Sequence, residues 1–175
     1  MLTKNFFQYL SAQLERFNSE THDWIAHLVN YDGVAFEKAY KYNVSSPRAW
    51  LGSMGNPKVT NLGSDGTWFG KGTTPPTPDD YTMEDPYVNG ELRVQCSSVV
   101  TGTHTEESYS VSIVYNVTNT TSEDLTISEI GVFSLHLSTG QYFCLLDHTI
   151  LENPVVVPAK RTVAMEYVIK FPYGK

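Results

Sequence analysis

From Thr162 to Phe171 the chain alternates with a period of two. Val163, Met165, Tyr167, Ile169 and Phe171 fall on one side, and Thr162, Ala164, Glu166, Val168 and Lys170 on the other. Successive side chains of a strand point to opposite faces, so this spacing calls for a strand with one buried and one wetter face. A second long strand pattern runs from Tyr109 to Phe133 across the turn signal of residues 116–124. Together they place the chain in a β-rich class, and they contain no catalytic constellation.

After Glu91 the rest of the chain reads the same way, with strands expected at 92–100, 108–117, 125–137, 141–147, 155–157 and 162–171. Within 125–137, Leu125 and Ile127 share one parity while Ile130 and Val132 share the other. A bulge near Glu129-Ile130-Gly131 reconciles them. Pro154-Val-Val-Val-Pro158 introduces the last strand.

The front of the chain differs. Thr3 is placed to act as N-cap, and Phe6, Phe7, Leu10, Leu14 and Phe17 recur at helical spacing, which predicts a helix over 1–20. Such a helix docks on its own domain or inserts into a neighbouring subunit, and the pattern does not separate the two. Residues 21–71 read as a loop-rich region with short strands, including a hairpin about Asp32-Gly33. From Gly72 to Pro86 four prolines fix φ and remove donors, so 72–90 is expected to run extended over a surface. Strands occupy 91–175 and form one compact domain with 21–71.

Composition narrows function by exclusion. The net charge is −7 with no Lys/Arg run to track a phosphate backbone, which argues against nucleic acid as a partner. No apolar stretch approaches the ~18 residues that span a bilayer, so no membrane partner is expected. The segment from Met1 to Phe7 lacks the charged and apolar parts of a secretory leader, and the expectation is a chain made in a cytoplasm. Cys96 and Cys144 read as buried free thiols; a disulfide requires neighbouring strands.

Candidate chemistry is sparse. His22 and His27 miss the spacing of a helical zinc pair. His104 sits in a polar turn, and His136 and His148 flank a hairpin with Asp147 but without a third ligand. Asp79, Asp80, Glu84 and Asp85 match no calcium loop and read as a solvated acidic surface. Gly70-Lys71-Gly72-Thr73 lacks the upstream glycine of a phosphate loop. Asn43, Asn116 and Asn119 fit glycosylation triplets but are better read as turn chemistry. No catalytic residue, metal ligand or cofactor site is assigned.

Two parts of the chain carry a resemblance. Ser128-Glu-Ile-Gly-Val-Phe133 with Leu145-Leu-Asp-His148, and the run from Gly70 to Tyr81 with Met83-Glu-Asp-Pro86, resemble patterns of tailed-bacteriophage virion structural proteins. The stretch from Val117 to Phe133, followed by Pro154 to Val163, resembles an Ig-like β-sandwich. Lys71 and Val132 depart mildly from these patterns. The resemblance implies a mainly β fold, an antiparallel β-sandwich of Ig-like or jelly-roll-like type with an N-terminal α-helix. It also implies a non-enzymatic structural subunit of the virion: tail, baseplate, collar or capsid-decoration component, assembled in the bacterial host cytoplasm. Its partners would be other virion proteins and copies of itself in a homo-oligomer. Candidate interface residues are Phe6, Phe7, Leu10, Trp68, Phe69, Tyr81, Met83 and Tyr87. The alternative is a host-surface carbohydrate-binding module of receptor-binding or tail-fibre type, stacking glycan on Trp24, Trp50 or Trp68. A glycan hydrolase using Asp79 and Glu84 is a third reading.

Overall fold

The computed structural model describes residues 1–8, 24–40, 66–87, 90–137 and 141–172. Through them run β1 (Trp24–Val29), β2 (Ala35–Tyr40), β3 (Gly66–Gly70), β4 (Leu92–His104), β5 (Ser108–Asn119), β6 (Leu125–Leu137), β7 (Gln141–Val157) and β8 (Thr162–Pro172). The fold is mainly β and its pairings are antiparallel. β1 and β2 form a hairpin, one three-stranded sheet has the order β3-β6-β7, and another the order β4-β5-β8.

The alternation of β8 becomes burial. Met165, Tyr167 and Ile169 are buried, whereas Ala164, Glu166, Val168 and Lys170 are exposed. The buried set packs with Ile113, Tyr115 and Val117 of β5 and Leu92 and Val94 of β4. Phe69, Ile127, Ile130, Val132 and Val157, from β3, β6 and β7, complete the same cluster. Each such side chain contributes about 1.5–3 kcal/mol on full burial. Polar contacts inside it are paired: the Thr67 and Tyr115 hydroxyls lie 2.5 Å apart, and the Tyr167 hydroxyl donates to Asp147. Burial, with the Asp147 charge beside it, raises the Tyr167 phenol well above its ordinary value.

The expected bulge in β6 is present. The β6–β7 register breaks between Ile127 and Glu129, which leaves Ser128 unpaired. Ile127, Ile130 and Val132 therefore all reach the shared core, while Glu129, Gly131 and Phe133 turn to the opposite face. On β7 the same break spans residues 151–154, since Ile127 pairs with Val155 and Glu129 with Ile150. This corrects the expectation of separate strands at 141–147 and 155–157: they are one strand. β7 is at the sheet's edge, and an edge irregularity accommodates Pro154 without costing a ladder bond. After β5, Asn119 performs the turn chemistry its sequence suggests. It is fully buried, donates to the Glu123 and Val157 carbonyls, and accepts from the Thr121 N–H and hydroxyl.

At the front, residues 4–8 are helical, and the remainder of the expected helix lies outside the described residues. The Thr3 carbonyl accepts from Phe6 and Phe7 N–H, so the helix starts where expected. The hydroxyl does not cap it. It donates to the Leu145 carbonyl at 2.6 Å, because Leu2 bridges Asp147 and brings Thr3 against β7. Asn5 ties this segment to the hairpin through two 2.8 Å bonds with the Val29 backbone. Among the described residues no helix is long and apolar enough to cross a membrane.

Candidate functional site

The outer face of the β3-β6-β7 sheet is built from the side chains that the β6 bulge turns away from the core. Gly70 stands opposite Glu129, Trp68 opposite Gly131, and Gly131 opposite His148. One end of this face is apolar: Trp68 stacks on Phe133 with centroids 4.0 Å apart, joined by Leu145, Met83 and Tyr31. The other end is charged, with Glu129 and His148 buried side by side.

Residues 71–87 cover this face as a closed strap. Lys71 N–H donates to the Asp85 carbonyl, Gly70 bridges Pro86, and Tyr87 N–H donates to the Phe69 carbonyl. The strap thus leaves β3 and returns beside it. Proline removes donors, so the N–H groups that remain need acceptors, and carboxylates supply them. Glu84 accepts from Thr73 N–H (2.6 Å), Thr74 N–H (2.8 Å) and the Thr74 hydroxyl (2.9 Å). Asp80 accepts from Thr77 N–H (2.9 Å) and its hydroxyl (2.7 Å).

Glu129 fastens the strap to the sheet. Its Oε1 accepts from Glu84 N–H at 2.6 Å and meets His148 Nε2 at 2.9 Å. Its Oε2 accepts from Asp85 N–H at 3.1 Å and Gly72 N–H at 3.2 Å. A carboxylate offers roughly four lone-pair sites, and all are engaged here. His148 Nδ1 lies 2.6 Å from Asp80 Oδ2, back on the strap. Both ring nitrogens face carboxyl oxygens, and while both carboxylates are ionised they accept only, so the geometry favours the doubly protonated imidazolium of His148.

The titration directions agree. Burial pushes the Glu129 carboxyl up, but the His148 bond and the Asp85 and Glu84 N–H donors outweigh it, leaving it below its ordinary value. Burial pushes His148 down, and its bonds to Glu129 and Asp80, with their charges, carry it above its ordinary value. Asp80 is lowered: burial opposes ionisation, and Thr77 and His148 more than offset it. Exposed Glu84 is lowered by the Thr74 and Thr73 N–H groups.

Close approach demands glycine at three points, and on Gly70 a Cβ would meet the Asp85 carbonyl oxygen at 2.7 Å. A Cβ on Gly72 would meet Glu129 Oε2 at 2.6 Å, and one on Gly131 would meet Met83 Sδ at 2.7 Å. The phosphate-loop likeness of Gly70–Thr73 is thereby explained away, because the Gly72 N–H serves Glu129.

Of the interface candidates, Phe6, Trp68, Phe69 and Met83 are buried in the chain's own packing and offer no contact surface. An apolar side chain at the bend of a strap or on the face beneath it is what the strap closes on. Phe7 (54 %) and Tyr81 (41 %) are exposed; Tyr87 is half-buried, with its hydroxyl on the Thr126 carbonyl, and Leu10 lies outside the described residues. Trp68 is covered and is no glycan platform, while Trp50 and the Trp24 side chain lie outside the described residues. The acidic cluster is not simply solvated: Asp80 and Glu84 are bonded as above, Asp79 pairs with Lys4, and Asp85 lies 3.6 Å from Lys71. Cys144 is a free, buried thiol pushed up to about 12 by burial, and the Cys96 side chain is outside the described set. Among the described residues no group of three His, Cys, Asp or Glu side chains has the arrangement of a metal site.

The triad of Asp80, His148 and Glu129 was not anticipated. The one sign of it in the sequence is Glu129 itself, an acid inside an apolar strand at the point where parity switches. The bonds of the triad join the strap at Asp80 to the sheet at Glu129 and His148. No protein-family model, curated protein or solved structure matches the chain.

Proposed function

We propose that this chain is a non-enzymatic structural subunit of a tailed-phage particle, an antiparallel β-sandwich of Ig-like or jelly-roll-like type that works through assembly contacts. The observation that carries the reading is the convergence of its phage-like segments. Gly70–Gly72, Met83–Pro86, Ser128–Phe133 and Leu145–His148 are far apart in the sequence, and they meet at the Glu129 knot. The residues behind the resemblance thus share one physical task, which is to hold a rigid strap on a sheet. A strap so held presents its outward side chains at low entropic cost on binding. Tyr81 is such a side chain: it is exposed, and its ring lies 3.2 Å from where a Gly33 Cβ would stand, beside exposed Val34.

Light scattering on the purified chain across a concentration series tests the proposal. The expected result is a mass rising above the 19.6 kDa of one chain, and Tyr81→Ala lowering association with other particle subunits. A chain that stays at monomer mass up to the highest soluble concentration overturns self-assembly. Glycan-array binding lost on Trp24→Ala or Trp50→Ala would replace the proposal with the carbohydrate-binding reading.

A further inference from the structure

β8 is an edge strand: β5 pairs with one side of it, and among the described residues no strand pairs with the other. Asn119 N–H donates to the Arg161 carbonyl at 2.9 Å, and the register continues with Thr118 opposite Thr162. Along an antiparallel ladder, residues whose backbone groups turn toward the neighbour alternate with residues whose groups turn away. Counting from Arg161, the odd-numbered residues face β5. The N–H and C=O groups of Thr162, Ala164, Glu166, Val168 and Lys170 therefore face the free side. The same residues carry the exposed side chains, and Val168 is 45 % exposed.

A long open edge is a template for another strand, and the charges on it decide which strand fits. Glu166 and Lys170 stand two residues either side of Val168. We infer that β8 pairs antiparallel with β8 of a second copy, about a two-fold axis at Val168. Val168 then meets Val168 of the second copy, and each Glu166 meets the Lys170 of the other. Glu166 is held on the strand surface by the hydroxyl of Ser112, which donates to it from β5. Sliding one strand by two residues breaks both Glu166–Lys170 pairs, and sliding it by four sets Glu166 against Glu166, or Lys170 against Lys170, where like charges directly opposite destabilise a pair. The contact is isologous, so it closes as a dimer and joins two β4-β5-β8 sheets into one continuous sheet. It rests on the self-assembly proposed above and names the surface and register that carry it.

The test is sedimentation or light scattering of the full chain with Glu166→Lys and with the double exchange Glu166→Lys/Lys170→Glu. The expected result is a wild-type dimer weakened about tenfold or more by the single change and returned toward wild type by the double one. Amide exchange supplies a readout without mutation: Glu166, Val168 and Lys170 N–H groups slow as protein concentration rises. Self-association indifferent to both variants, with those amides unchanged, overturns the β8 contact and leaves the assembly reading standing. A wild-type chain that never exceeds monomer mass overturns the β8 contact and self-assembly together.

Discussion

The two faces of β6 are held by different physics. Ile127, Ile130 and Val132 enter the core shared with β4, β5 and β8, where stabilisation scales with apolar area and tolerates small rearrangements. Glu129, one residue out of phase and itself fully buried, enters a polar knot, where stabilisation depends on every donor and acceptor finding its partner. A single unpaired residue, Ser128, separates the two. The core gives the domain its stability, and the knot decides whether residues 71–87 are part of the domain or a loose loop.

Glu129→Ala breaks that comparison most severely. It leaves His148 charged and buried beside a gap, and strands the Gly72, Glu84 and Asp85 N–H groups. Removing one partner of a buried pair costs about 3–5 kcal/mol. Limited proteolysis is expected to cut within 73–84, and thermal melting to shift down. Ile130→Ala attacks the other face and costs about 2–5 kcal/mol. There the expected signature differs: the melting point falls, while the strap stays resistant to protease until the whole domain unfolds.

Gly131→Ala sharpens the boundary between the faces. Its Cβ would meet Met83 Sδ at 2.7 Å and Phe133 Cε2 at 2.9 Å, an overpacking that costs about 1–3 kcal/mol. Combining it with Met83→Ala should cost less than the sum of the two single changes, measured by denaturant melts.

Changing pH separates the faces without mutation. His148, raised from 6.5, contributes stability that is fully present below that value and is lost as pH rises through its folded pKa. Asp80 and Glu129, lowered from 3.8 and 4.5, contribute above those values and lose it as pH falls through their depressed folded pKa values. The knot is therefore strongest between about pH 4.5 and 6.5. Melting points across pH should fall on the alkaline side, and His148→Gln should flatten that limb. Glu84→Gln is the mildest change. It weakens the exposed turn at Thr73 and Thr74, and should raise protease sensitivity there with little change in melting point.

The strands were readable because a strand's period is short and local: β8 and the parity switch in β6 are visible residue by residue. The continuity of β7 through Pro154 was not, because whether a strand lies at an edge is a property of the sheet. The strap looked like a linker for a similar reason. Its prolines are local, but the carboxylate that closes it is on β6. Asp80 and His148 are 68 residues apart, and Glu129 and His148 are 19 apart, so no spacing rule joins them. The same distance hid the fates of Met83 and Trp68, which looked like contact residues and turned out to fill the space beneath the strap.

The central claim is that Glu129 makes the strap part of the folded domain. Native-state amide exchange at Gly72, Glu84 and Asp85 tests it most directly, because those three N–H groups donate to that one carboxylate. They should exchange slowly in the wild type and lose protection together in Glu129→Gln, while Ile113 and Val117 on β5 stay protected. Fast exchange in the wild type, or protection that survives the substitution, would contradict it.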